Sequence, residues 1–112
     1  MEVVIHKIRL RDPALRREFE RWVVNSDYVA CHKLTSVIAF DVHRVSEAST
    51  APFHYVEIIR VSSRSAFDAD MSTPTFKSLE SEFSTMADVV EEVAGEQLGD
   101  GYPHAVDEGV AE

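Results

Sequence analysis

The order of hydrophobic and polar positions along the chain predicts four strands and two helical regions. Strands are indicated where apolar residues alternate with polar ones, or form short β-branched runs between turn signals. The stretch that begins at Val89 and Val90 also fits a helix, but its β-branched content and the need for a fourth strand favour a strand. The predicted strands cover residues 3–10, 36–45, 53–61 and 89–98.

The first helical region follows strand one and has clear start and stop signals. Asp12 is placed to cap the helix, and Pro13 occupies the first helical position, where its missing N–H costs nothing. The polar residues 25–27 are expected to end this helix, with Asp27 capping one further turn through residue 32. The apolar stripe of the helix consists of Leu15, Phe19, Trp22 and Val23.

The second helical region lies between strands three and four. Ser63 and Ser65 offer caps for a short helix that ends near Met71, and Thr73 followed by Pro74 restarts it. The resulting order, β-α-β-β-α-β, predicts an α+β, ferredoxin-like fold in which both helices cover one face of an antiparallel sheet.

We expect one such domain over residues 1–98 and an acidic, flexible tail over residues 99–112. Of the 112 residues, 45% are hydrophobic and 28% are charged, which is typical of a globular chain. No apolar segment is long enough to cross a membrane, and the N-terminus does not resemble a signal peptide. The single cysteine, Cys31, cannot form an internal disulfide, which favours a reducing cytoplasm.

The formal net charge is −9, and it is unevenly distributed. All Lys and Arg residues lie within residues 1–79, whereas residues 80–112 carry acids and no base. A nucleic acid would meet no basic patch at that end, so nucleic acid is not expected as a partner. The acidic end is interpreted as a solvated surface and tail.

Strands two and three are apolar on both faces, although the helices can cover only one face of the sheet. A monomer would expose a large apolar patch, and such a patch usually marks an interface. We therefore expect a homodimer that packs sheet on sheet. Substituting Phe40 or Val42 with Asp is expected to break this dimer if their face is the interface, and the pattern leaves open which face lines the pocket.

Several short motifs occur in a specific order along nearly the whole chain, up to about Leu98. They are Val4-Ile5-His6-Lys7, Phe19-x-x-Trp22, Asp27-Tyr28-x-x-Cys31, Ser36-Val37, Pro52-Phe53-His54-Tyr55-Val56-Glu57 and Gly95-Glu96. On these residues the chain resembles the RedY/HapK-like family of prodiginine and bisindole pigment biosynthesis, within the dimeric α+β barrel superfamily. The resemblance implies a homodimer, a pocket between sheet and helices, and reactions that condense, cyclise or dehydrate pyrrole or indole intermediates.

The candidate catalytic residues are His6, His54 and Tyr28. A histidine moves protons near neutral pH, and the Tyr28 phenol could donate to a developing anion or stack on a heteroaromatic ligand. The structural alternatives are that His6 is a core histidine with all its hydrogen bonds made, and that the Tyr28 ring packs to close the core. His54 and Glu57 lie on opposite faces of strand three, and we favour His54 for the pocket, with Glu57 at the dimer interface or paired with an arginine.

Phe19 and Trp22 are expected to form an apolar wall of the pocket. Asp27 is favoured as a helix cap, and its functional alternatives are a partner that orients a histidine and a substrate-binding residue. Cys31 is interpreted as a small buried hydrophobe, because it and His32 are adjacent on a helix and do not face each other. The five histidines show no metal-binding spacing, and no glycine-rich phosphate loop is present. We expect no metal and no cofactor, with NAD(P)H possible only for an imine-reductase variant.

The function expected from this resemblance is acid/base catalysis on a small heteroaromatic substrate without a cofactor. Two other classes stay open. One is a non-catalytic carrier or scaffold that protects such an intermediate. The other is a cofactor-free oxygenase, or an imine reductase, of the same superfamily.

Overall fold

The computed structural model describes residues 1–102, so most of the predicted tail, residues 103–112, lies outside the described residues. Within the described part, four strands and two helical regions follow the predicted order. The strands are β1 (Glu2–Leu10), β2 (Val37–Arg44), β3 (Tyr55–Val61) and β4 (Ala87–Glu96). The helices are α1 (Arg16–Trp22), α2 (Tyr28–Ala30), α3 (Arg64–Asp70) and α4 (Pro74–Ser84).

The four strands form one antiparallel sheet in the order β2-β3-β1-β4, which confirms the ferredoxin-like α+β prediction. The ambiguous stretch after helix α4 is a strand, as expected, because it pairs with β1 along its length. Capping signals were also placed correctly. Asp12, Ser63 and Thr73 each accept a backbone N–H at the start of their helical segments.

The prediction that residues 25–27 end the first helix is wrong. The chain continues from α1 through a π-helical turn, Val23–Asp27, into α2 and a final 3-10 turn, Cys31–Lys33. The Asp27 side chain caps nothing, because Asp27 itself has helical backbone angles and makes no capping hydrogen bond. A π turn inserts an extra residue into the helix, and such turns are frequent at functional sites.

The helices cover the sheet face that carries Val4, Ile8, Ile59 and Val61, all of which are buried. The expectation that the strand-three face of His54, rather than that of Glu57, turns towards the pocket under the helices is therefore wrong. Alternation along β3 places Glu57 on the helix side with Tyr55 and Ile59. The larger buried side chains, Tyr55 above all, decide which face turns inward.

Phe40 and Val42 also face the helices, where they pack against the buried residues of the core. A register shift in the pairing of β2 with β3, between Val37 and Ala39, brings Val37 to the same side as Phe40. Substitution of Phe40 or Val42 therefore tests the core rather than an interface.

The opposite face of the sheet is left without cover by the chain's own helices. Ile5 on β1 lies directly between Ile58 on β3 and Val93 on β4, so an apolar row crosses three strands. Val93 is 46% exposed and Ile38, on β2, is 54% exposed. No helix within residues 1–102 has the length and apolar character needed to cross a membrane.

Candidate functional site

A cavity of about 380 Å³ lies between the sheet and the helices. Its wall is mostly apolar, and the polar groups on it come from β1, β3, β4, α4 and the end of the first helical region. An apolar cavity with a few polar groups is the usual form of a small-molecule site. The apolar side chains that enclose it include Phe40, Ile59, Phe67, Met71, Phe76 and Phe83.

His6 lies at the centre of the polar wall, on β1 between its two neighbouring strands. It is directly opposite Glu57 on β3 and Glu92 on β4 in the sheet register. The Nδ1 atom of His6 is 2.6 Å from Glu57 Oε2, and its Nε2 atom is 2.8 Å from Glu92 Oε1. The two carboxylates therefore hold the imidazole ring by both of its nitrogens.

This arrangement determines the charge of His6. A neutral imidazole carries one N–H and can donate to one carboxylate only, whereas an imidazolium donates from both nitrogens. Burial lowers the pKa of His6, but the hydrogen bonds and charges of Glu57 and Glu92 outweigh burial and raise it overall. His6 is thus held as an imidazolium, a group on the cavity wall that can donate a proton.

Glu92 connects His6 to a second cation, Arg64. The Arg64 Nη2 atom, at the start of α3, is 3.3 Å from Glu92 Oε2, while Arg64 Nε binds Asp68 at 2.9 Å. The hydrogen bond from His6, together with the charge of Arg64, lowers the pKa of Glu92. Glu92 therefore stays ionised and fixes the orientation of the imidazolium.

Asp27 is a further acidic group on the cavity wall. It is only 8% exposed, and its carboxyl makes no hydrogen bond to any of residues 1–102. Burial raises the pKa of Asp27 to about 7, and the charges of Glu57 and Glu82 add to this effect. Asp27 can therefore exchange a proton near neutral pH, the range in which acid/base catalysis is most effective.

Trp22 and Cys31 line the cavity on either side of Asp27 in the sequence. The Trp22 indole N–H donates to Glu82 Oε1 at 2.7 Å, which fixes the ring against α4. Burial raises the pKa of the Cys31 thiol to about 12, with the charges of Asp27 and Glu57 contributing. The thiol therefore stays protonated and is not an activated nucleophile.

Of the six sequence-predicted site residues, His6, Trp22 and Asp27 come together at the cavity, and the other three do not. His54 is 3% exposed; its Nδ1 accepts the Leu10 N–H at 3.1 Å, and its Nε2 is 3.0 Å from the Ala48 carbonyl oxygen. Both of its ring nitrogens are thus engaged with backbone atoms.

Tyr28 and Phe19 also lie outside the cavity lining. The Tyr28 hydroxyl accepts the Val42 N–H at 2.9 Å, and its ring packs edge-on against Phe40. Phe19 is 1% exposed and packs against Tyr55 with ring centroids 4.8 Å apart. These contacts are those of core residues.

Two acidic residues of the site, Glu57 and Glu92, were misplaced or missed in the sequence. Glu57 lies two residues from both Tyr55 and Ile59 and so shares their strand face, and this alternation could have placed it on the side of the pocket. No signal in the sequence pointed to Glu92, because its position opposite His6 depends on an irregularity in the β1–β4 pairing between Lys7 and Ile8. Within residues 1–102 no group of three or more His, Cys, Asp or Glu side chains is arranged to hold a metal ion.

Comparison with solved structures finds a relative of high similarity and others, at low identity, that share the fold. The crystal structure of HapK from Hahella chejuensis is 58% identical, with a TM-score of 0.93, over 94% of this chain and 100% of that one. SnoaB, a cofactor-independent oxygenase from Streptomyces nogalater, is 15% identical with a TM-score of 0.68, over 89% of this chain and 95% of that one.

A Bacteroides thetaiotaomicron protein assigned to the antibiotic biosynthesis monooxygenases is 19% identical with a TM-score of 0.70, over 91% of this chain and 93% of that one. Among curated proteins none matches this sequence. The model of the family described as REDY-like protein HapK matches residues 2–98. This match, together with the 58% identity to HapK, confirms the resemblance, and the chain belongs to the HapK family of REDY-like proteins.

Proposed function

We propose that this protein is an enzyme of secondary-metabolite biosynthesis that moves protons on a pyrrole or indole intermediate of the prodiginine or bisindole pigment type. The reaction class is a condensation, cyclisation or dehydration that needs no cofactor. Membership of the HapK family supports the pathway. A fold shared with a cofactor-independent oxygenase and with antibiotic biosynthesis monooxygenases is compatible with catalysis in a cavity of this kind.

The observation that carries the proposal is the His6 imidazolium held between Glu57 and Glu92 on the wall of a largely apolar cavity. Two carboxylates and a cation in one hydrogen-bonded network can hold a proton and release it to a ligand. Glu57 lines the cavity and is bonded to His6, so it can pass a proton between the imidazolium and a bound heterocycle. Asp27 is a second group able to give or accept a proton on the same wall.

The test is turnover of a bipyrrole or bisindole intermediate by the wild-type protein and by His6→Ala and Glu57→Gln variants. Proton transfer by a positioned side chain contributes on the order of 10²–10⁴ in rate, so each variant should lose roughly that much activity. His32→Ala is the matched control, because His32 is exposed and does not line the cavity. Full activity of both site variants would contradict the proposal.

The same assay separates the alternatives. An enzyme changes the product distribution when protein is far below the substrate concentration, whereas a carrier acts only in proportion to the protein added. Oxygen consumption linked to product formation would identify an oxygenase. Oxidation of added NADPH linked to product formation would identify an imine reductase.

We also propose that the protein is a homodimer packed through the open sheet face. The apolar row of Ile5, Ile58 and Val93 supports this, since burying it removes an apolar patch from water. In a dimer with twofold symmetry the same face of each protomer packs against that face of the other, so both open faces are covered. A monomeric mass by light scattering at micromolar concentration would contradict the dimer.

A further inference from the structure

Asp27 is the one buried carboxyl of the cavity that has neither a hydrogen-bond donor nor a counter-charge bonded to it within residues 1–102. Its side chain reaches the cavity from the π-helical turn at the end of the first helical region. Buried carboxyls are normally hydrogen-bonded or paired, because removing them from water is costly. Asp27 has no such partner within residues 1–102, and its oxygen atoms are not fully enclosed by protein, so a ligand in the cavity can reach them.

Within residues 1–102 the other acids of the cavity wall are paired, except Glu80, which is exposed to solvent. His6 bonds both Glu57 and Glu92, and Arg64 binds the second oxygen of Glu92. Asp88, at the cavity edge, binds Arg11 at 2.9 Å. No Lys or Arg is among the residues that line the cavity. A cation bound beside Asp27 would therefore supply a counter-charge to the one buried acid of this wall that lacks a bonded partner.

The rest of the cavity selects the shape of such a cation. Aromatic side chains from the sheet, α3, α4 and the first helical region line the same cavity as Asp27: they are Trp22, Phe40, Phe67, Phe76 and Phe83. Aromatic faces attract a cation and stack on flat rings. A hydrated metal ion or an alkyl ammonium would leave most of this apolar wall without a contact to the ligand.

We propose that the cavity binds its ligand as a planar nitrogen heterocycle in its cationic form, a protonated imine or an iminium, with the ligand N–H donating to the Asp27 carboxylate. This assignment rests on the proposed function and specifies the charge state of its substrate. The cation lies against the aromatic wall, and Asp27 fixes the nitrogen end of the ring system. Asp27 is then a binding residue that also recognises the proton on the ligand.

The proton on Asp27 couples this binding to pH. The ionisable groups that face Asp27 are Glu57 from β3, Glu82 from α4 and Cys31 from the adjoining turn. Its pKa of about 7 means that much of the unliganded protein holds a proton there near neutral pH, and a cationic ligand must displace it. Affinity for a permanently charged ligand should therefore rise as the pH increases through neutrality.

Two probes of nearly the same shape test the charge preference directly. Protonated 4-aminoquinoline is a flat cation with a ring N–H, and 1-aminonaphthalene is its neutral counterpart near neutral pH. Titration calorimetry with the full-length protein at about pH 8 should show the cation binding at least about tenfold more tightly than the neutral probe, a difference of about 1.4 kcal/mol. Equal affinities, or no binding of the cation at millimolar concentration, would overturn the proposal.

Asp27→Asn keeps the shape of the side chain and removes its charge. It should lower the affinity for 4-aminoquinoline about tenfold or more and leave that for 1-aminonaphthalene unchanged. Glu18→Gln is the matched control, since it removes one negative charge from an exposed position of α1 outside the cavity lining. A cation preference that survives in Asp27→Asn would overturn the assignment.

A second measurement needs no variant and serves if Asp27→Asn fails to fold. In the wild-type protein the ratio of the two affinities should increase between about pH 6 and about pH 8, as Asp27 loses its proton. A ratio that stays constant would overturn the proposal. If the protein prefers the cation but His6→Ala keeps full turnover, the proposed reaction is contradicted and this inference stands. If His6→Ala loses turnover but the protein shows no cation preference, this inference alone is contradicted.

Discussion

The Nδ1 atom of His54 accepts the backbone N–H of Leu10 at a distance of 3.1 Å. Its other ring nitrogen meets the Ala48 carbonyl oxygen, so a buried imidazole joins the loop before β3 to the end of β1. A neutral imidazole, with one donor and one acceptor nitrogen, satisfies both backbone groups. Although the sequence placed His54 among the catalytic candidates, these contacts are those of a structural residue.

His54→Ala should therefore reduce stability rather than act on the reaction. It leaves the buried Leu10 N–H without its partner, whereas the Ala48 carbonyl keeps the hydrogen bond from the Ala51 N–H. A buried unpaired polar group costs about 1–3 kcal/mol. Urea unfolding at neutral pH measures this loss, with His32→Ala as the exposed control. Unchanged stability together with a large loss of turnover would restore His54 as a catalytic residue.

Glu57→Gln should return the pKa of His6 toward its ordinary value. Glu57 is the first of the two carboxylates that raise it, and a neutral amide keeps the shape but removes the charge. NMR titration of the His6 ring protons follows the change directly. Glu92→Gln should lower the pKa less, because Glu92 is more exposed than Glu57. The opposite order would show that Glu92 is the principal partner.

Asp27→Asn should make the protein more stable at alkaline pH than the wild type. The folded state raises the pKa of Asp27 from 3.8 to about 7, so it binds this proton more tightly than the unfolded chain does. Stability contributed by the protonated group is therefore lost as the pH rises between these two values. The gain on substitution, roughly 1–3 kcal/mol near pH 8, should disappear toward about pH 4.

Urea unfolding at the two pH values gives this difference for Asp27→Asn and for Glu18→Gln, the exposed control. A gain that does not depend on pH would show that Asp27 ionises as freely in the folded protein as in the unfolded chain.

Ile58→Asp and Phe40→Asp should separate the open sheet face from the core. Ile58 lies on the uncovered face, so a charge there should give a folded monomer if the dimer forms through this face. Phe40 packs against the helices, so Phe40→Asp should instead lower the free energy of unfolding by several kcal/mol. Light scattering and urea unfolding of both variants check these outcomes. A dimer that persists in Ile58→Asp would place the interface elsewhere.

The amino-acid sequence by itself determined the order of elements, the caps at Asp12, Ser63 and Thr73, and the placement of His6 on the same strand face as Ile8. These features depend on local rules: the period of apolar residues, backbone groups that need partners at helix ends, and alternation along a strand. The family resemblance followed from the same linear order of motifs.

The tertiary structure alone decided which groups meet in the cavity. Glu57 and Glu92 reach His6 because strands distant in sequence pair in one register, and the irregular β1–β4 pairing is set by packing rather than by local propensity. Asp27 looked like a helix cap, since a polar residue after an apolar stripe usually is one. A π turn directed it into the cavity instead, and burial beside two other acids then changed its pKa. Proximity and burial are properties of the folded chain, and the chemistry of this site depends on both.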